Sequence, residues 1–133
     1  MLDTNAVIAL LKGTPRIVGS IRERAPFDFA ISSIAAHELY FGAFRSARSE
    51  ENLARIGRLR IPIIEFDRED AVEAGYIRSV LATAGTPIGP YDVLIAGQAK
   101  ARNLILITRN VREFSRVRGL NVQNWEDEEG EAP

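Results

Sequence analysis

The chain contains no cysteine, one histidine, one methionine and one tryptophan among its 133 residues. Without cysteine there is no disulfide framework, no thiol nucleophile and no cysteine-ligated zinc, and the lack fits a reducing cytosol. The single histidine, His37, excludes a multi-histidine metal centre, so a metal bound by this chain takes oxygen ligands. No apolar run approaches the roughly 20 residues that a membrane span needs, and the opening residues lack the basic and long apolar regions of a secretory signal. The expectation is a soluble, cytoplasmic protein without a membrane partner.

Negative charge is scarce except at one end. Residues 126–133 (EDEEGEAP) hold five of the 18 acids and none of the 17 bases, which leaves residues 1–125 with a net +4. Fifteen of the bases are arginine and only two are lysine. That bias suits bidentate contact with phosphate or carboxylate, although a GC-rich genome has the same effect. A mildly basic body is compatible with nucleic acid and does not by itself establish it.

The length fits one domain, able to bury roughly two thirds of its extended-chain surface. Met1-Leu2 reads as the end of a first strand that is either very short or begins before this numbering. Asn5 to Leu11 has helical apolar character, and Pro15 opens a second amphipathic stretch with Ile17 and Ile21 on one face. Phe27 to Ile31 reads as a strand, with Ser32 and Ser33 as candidate caps for the helix IAAHELYFGAF. Ser49 is placed to cap SEENLARIGRLR, which Pro62 ends. Ile63 to Phe66 is a short strand. Asp67, with Asp70 three residues later, forms a capping box that opens a long helix through Ala84.

After a loop over Gly85 to Pro90, the pattern gives a helix over Tyr91 to Arg102 and a strand over Leu104 to Thr108. A helical turn over Val111 to Phe114 and an edge strand within Leu120 to Trp125 follow. Short apolar strands alternating with helices favour an α/β fold with a mostly parallel sheet. The domain spans residues 1–125; residues 126–133 form an acidic tail too polar to offset its ordering entropy, expected to be disordered.

In such a sheet the binding crevice lies beyond the carboxyl ends of the strands. Asp3 follows the first strand, Asp92 stands in the first turn of the helix after GTPIGP, and Asn110 follows LILIT. Glu38 lies inside a helix with Ile34, Ala35, Leu39 and Phe41 around it and no arginine or lysine at three or four residues' distance. A carboxylate facing apolar packing must be paired or bind a metal. The bland alternatives are a solvent-facing Glu38, a helix-capping Asp3 and a charge–dipole role for Asp92. His37 points about 100° away from Glu38 around the helix and reads as a surface residue. Converging acids without basic partners repel one another, and a divalent cation such as magnesium or manganese relieves that cost.

Taken together, LDTN at 2–5, SSIAAHELYFGA at 32–43, the block GTPIGPYDVLIAGQAKARNLILITRNVREFSRVRGL at 85–120 and the closing NVQNW resemble the PIN-domain ribonucleases, and within them the VapC toxins of bacterial toxin–antitoxin pairs. The resemblance covers nearly the whole chain up to Trp125. It implies a three-layer PIN-like domain with a central sheet flanked by helices, and a metal-dependent endoribonuclease. Asp3, Glu38 and Asp92 fall on the family's metal-binding or water-activating carboxylates. The fourth acidic position falls on Asn110, a departure that weakens a fourth-ligand role. Thr4 and Thr108 match small hydroxyl positions beside the site.

The resemblance further implies Mg²⁺ or Mn²⁺, an RNA substrate with initiator tRNA as the expected target, a cytosolic homodimer and a VapB-like antitoxin. Arg109, Arg112, Arg116 and Arg118 cluster around Asn110, where phosphates or an antitoxin carboxylate would meet them; of these, Arg109 and Arg112 are the expected substrate contacts. Tyr40, Phe41 and Phe44 belong either to the core or to an antitoxin contact. An aspartyl-phosphate phosphohydrolase is disfavoured because neither Lys12 nor Lys100 follows a strand. The alternative within the same fold is an RNA-binding regulatory domain without turnover.

Overall fold

A computed structural model describes residues 1–24 and 28–126. The elements run α1 (Thr4–Leu11), α2 (Pro15–Arg22), β1 (Ile31–Ser32), α3 (Ser33–Arg45), α4 (Ser49–Gly57), β2 (Ile63–Ile64), α5 (Arg68–Thr83), α6 (Pro90–Ala101), β3 (Leu106–Ile107), α7 (Val111–Phe114) and β4 (Val122–Gln123). The order of helices and strands is the one that hydrophobic periodicity and caps suggest. Phe27, the expected start of the second strand, and residues 127–133 of the acidic tail lie outside the described residues.

The sheet is smaller than expected. Instead of one large central sheet there are two parallel pairs, β1 with β2 and β3 with β4, each only two residues long on either side. Leu2 joins them through isolated parallel bridges to Ile31 and to Ile107. Helices flank these short pairs. The strands stay short because helices begin at once where they end: Ser32 closes β1 and its hydroxyl caps α3 by accepting from the Ile34 N–H. Asp3 does the same directly after Leu2, accepting from the Ala6 N–H to start α1. Apolar runs such as Leu104–Thr108 therefore mark burial, whereas the ladder itself covers only Leu106–Ile107.

Two further expectations are corrected. Ser49 does not cap α4: the preceding Arg48 occupies the cap position, and the hydroxyl of Ser46 takes the Arg48 N–H and the Asn52 amide. That helix also stops at Gly57, well before Pro62. By contrast the Asp67–Asp70 capping box is reciprocal, with each side chain accepting the other residue's N–H at 3.0 and 2.9 Å.

The core gathers Leu2, Val7, Ile17, Ile31, Leu106 and Ile107 with Ala35 and Leu39 of α3, Ile77 and Leu81 of α5, Ile95 of α6 and Phe114 of α7. α5 and α6 pack so closely that a Cβ placed on Gly97 would stand 2.5 Å from the Cα and Cβ of Ala74. At the far end Arg102 donates to both carboxylate oxygens of the buried Asp70 and to Asp67. Gln98, also buried, donates to the carbonyls of Ile64, the last residue of β2, and of Glu65 just after it. These contacts fix the helix that carries Asp92. Gly97→Ala should cost about 2 kcal/mol or more through overpacking, measured as a lower urea midpoint with unchanged slope.

Candidate active site

Asp3 is brought to the centre of the molecule because Leu2 pairs on both sides. Its N–H donates to the Ile107 carbonyl at 3.0 Å, and its Oδ1 accepts from the Ala6 N–H at 2.8 Å. The capping alternative for Asp3 is thus realised, in a residue only 3% exposed. Burial raises its pKa, opposed by hydrogen bonds from the Thr108 hydroxyl and Ala6, with Glu38 adding a further upward push. Thr108, itself buried, accepts the Asn110 N–H at 2.9 Å. A single hydroxyl therefore links the residue after β3 to the residue after the first bridge.

Glu38 is half-buried on α3 rather than solvent-facing, and its Oε1 accepts the Thr4 hydroxyl at 2.7 Å. Asp92 lies half-buried in the first turn of α6. Its pKa is pushed up to about 6, first by burial and then by the charges of Glu113, Asp3 and Glu38. The three acids singled out in the sequence are therefore within electrostatic reach of one another.

Glu113 is the residue that sequence reasoning missed. It sits on α7 with Oε1 accepting the Gly89 N–H at 2.8 Å and Oε2 accepting the Asn110 side-chain amide at 2.5 Å. Its spacing of three from Asn110 on a helical turn, which puts both on one side, was the available signal. In sequence it reads only as one more surface charge.

Asn110 occupies the cap position of α7 but gives it no side-chain cap. Arg109 is exposed and, with Asn5, Lys12, Thr14 and Asn110, lines an open cleft of about 540 Å³. Arg112 is exposed on α7. Arg116, also exposed, is turned to the carbonyl of Pro87 at 3.0 Å. His37 is at the surface, tilted against the Tyr91 ring at 5.0 Å. Tyr40, Phe41 and Phe44 are 39%, 62% and 67% exposed, so none belongs to the core.

The donor set suits a hard cation: every candidate ligand is an oxygen, and among the described residues none of the four acids forms an ion pair with a base. Among those residues no group of three or more acidic, histidine or cysteine side chains is close enough together to form a complete cage. The arrangement fits an ion held by one or two carboxylates with water filling the remaining positions.

The PIN-domain family model matches residues 1–120. The tRNA(fMet)-specific endonuclease VapC of Salmonella typhimurium is 42% identical over 130 residues, covering 94% of this chain and 96% of its own. Its counterpart in Shigella flexneri is 43% identical over the same length, with the same coverage. Among solved structures, the DNA-bound VapBC of Salmonella typhimurium superposes with a TM-score of 0.85 at 42% identity, covering 94% of this chain and 96% of that one. The chain belongs to the PIN-domain family and, within it, to the VapC ribonucleases.

The raised pKa of Asp92 has a consequence for stability. A carboxyl that ionises near 6 when folded and near 3.8 when unfolded favours folding fully only below the unfolded value. That contribution is lost as pH rises through about 6. Asp92→Asn should therefore raise the thermal midpoint at pH 7.5 in metal-free buffer, by an amount equivalent to about 1–3 kcal/mol. The difference should vanish below about pH 4, as read by calorimetry across the pH range.

Proposed function

We propose that the chain is a divalent-metal-dependent endoribonuclease of the VapC toxin type, hydrolysing RNA phosphodiester bonds with initiator tRNA as its target. The observation that carries this reading is Asp92. Its carboxylate is partly buried among three other acids, and among the described residues it alone of the four has no hydrogen-bond donor on it. A desolvated anion in that position is stabilised by a cation.

In this reading the ligands of Mg²⁺ or Mn²⁺ come from Asp3, Asp92 and Glu38, one or two of them bound directly and the rest through the ion's waters, as magnesium commonly is. An ion held there would lower the pKa of a bound water and offset charge on the leaving oxygen. Thr4 orients Glu38, and Thr108 orients Asp3. Asn110 positions water or substrate, and the exposed Arg109 and Arg112 meet backbone phosphates beside the cleft. The preference for initiator tRNA is supported by similarity to relatives named for tRNA(fMet)-specific cleavage.

The partner in this reading is a VapB-like antitoxin, and the toxin is a cytoplasmic homodimer. No described helix is long and apolar enough to cross a membrane. Support for the antitoxin comes from the VapBC composition of the related solved structure and from the exposed aromatic side chains of α3. The same helix contributes Glu38, Leu39 and Gly42 to a cleft of about 250 Å³ that Ile8 and Ile56 also line.

The test is to map new RNA ends after incubating total RNA with the purified protein and magnesium, beside EDTA and Asp92→Asn controls. The expected result is one dominant magnesium-dependent cut, absent with EDTA and reduced at least about a hundredfold by the substitution. Folded, antitoxin-free protein that makes no cut would move the assignment to an RNA-binding domain without turnover.

A further inference from the structure

We propose that Arg116 is a positioning residue for cleavage: together with Glu113 it pins the loop of residues 85–90 and so fixes where the Asp92 carboxylate stands. The inference rests on reading the site as a nuclease centre.

The loop is gripped at two points by one short segment. Glu113 accepts the Gly89 N–H at 2.8 Å, and Arg116 donates through Nη1 to the Pro87 carbonyl at 3.0 Å. The two side chains come from positions three apart, and the Arg116 N–H closes a turn on the Glu113 carbonyl at 3.1 Å. That turn is rooted in the core by Phe114, 1% exposed, and Val117, 4% exposed. The grip is therefore anchored to the interior even though the Arg116 side chain is at the surface.

The loop needs such a grip. Pro87 has no N–H, so one backbone donor is missing from the irregular stretch 86–89, and Pro90 follows it as the first residue of α6. At its start the Thr86 N–H donates to the Leu81 carbonyl at the end of α5. At its other end Gly89 precedes α6 and has no side-chain cap of its own to offer. The carboxylate of Glu113 takes the role that a capping-box side chain plays, from a different element.

The loop also forms the wall against which Asp92 rests. A Cβ on Gly89 would stand 3.2 Å from Asp92 Oδ2 and 3.8 Å from Glu113 Oε1. A displacement of Gly89 by a few tenths of an ångström changes the room open to the carboxylate. Glu113 holds the loop by its N–H and Arg116 by a carbonyl two residues earlier, so the peptide planes between them are constrained at both ends. Loss of Glu113 removes a charge next to Asp92 as well as a hydrogen bond, whereas loss of Arg116 leaves all four acids in place and removes the grip with one surface positive charge. Arg116 is for that reason the better residue through which to test positioning, with Arg116→Lys and the salt dependence separating grip from charge.

The experiment compares the full-length wild type with Arg116→Met and Arg116→Lys on initiator tRNA with magnesium, alongside amide hydrogen exchange of the RNA-free proteins. The expected result for Arg116→Met is a kcat lowered about three- to tenfold, with KM and the salt dependence of KM unchanged. Exchange at residues 86–92 should accelerate while the thermal midpoint stays put, and Arg116→Lys should recover part of both effects. A raised KM with a salt slope reduced by about one and unaltered loop exchange would overturn the proposal and make Arg116 a phosphate contact. Unchanged kcat, or a lowered kcat without faster loop exchange, would also overturn it. A wild type that cuts nothing marks the failure of the nuclease reading instead, and the exchange comparison then still decides whether Arg116 holds the loop.

Discussion

Mutual repulsion among carboxylates is the constraint around which the molecule is arranged. Asp3, Glu38, Asp92 and Glu113 come from four different helices or their caps, and three of them are restrained by a specific donor. Asp3 is held by the Ala6 N–H and Thr108, Glu38 by Thr4, and Glu113 by Gly89 and Asn110. Such hydrogen bonds stabilise the ionised form and keep each group from swinging into water. The fourth acid, Asp92, has no such donor, and burial together with the charges of Glu113, Asp3 and Glu38 pushes its pKa up to about 6. The local instability is concentrated where a cation is most useful.

The rest of the fold serves to deliver these groups. Leu2 forms the rung between the two strand pairs, and the chain turns into α1 one residue later, so Asp3 is central by construction. Serine and aspartate caps start α3 and α1 at the strand ends and set the directions in which Glu38 and Thr4 emerge. α6 is clamped along its length, by Gly97 against Ala74 in the middle and by Arg102 on Asp67 and Asp70 at the end. A helix held in this way cannot rotate to relieve the charge on Asp92.

Much of this was legible in the sequence because it is written in local chemistry. The Asp67–Asp70 box, the Ser32 cap, Pro15 at a helix start, and the ordered LDTN, SSIAAHELYFGA and GTPIGPYD segments each have a short-range cause, although Pro90, read as loop, is the first residue of α6. Strand lengths were not legible, since apolar runs record burial and the ladder depends on partners distant in sequence. The cap of α4 was misread because Ser49 is already helical: Arg48 holds the cap position without a side-chain cap, and Ser46 braces the turn by accepting the Arg48 N–H and the Asn52 side-chain amide. Glu113 was invisible for a related reason: its meaning comes from Gly89, 24 residues away, and nothing within its own turn announces that contact.

The double pairing of Leu2 makes the chain indivisible in a modular sense. The amino-terminal half, with Leu2, β1 and β2, lacks Ile107, and the carboxyl-terminal half, with β3 and β4, lacks Leu2, so neither keeps both bridges. Neither half is a miniature of the whole: the first residues of the chain close on residues near 107, so the sheet is completed only once most of the sequence has been made.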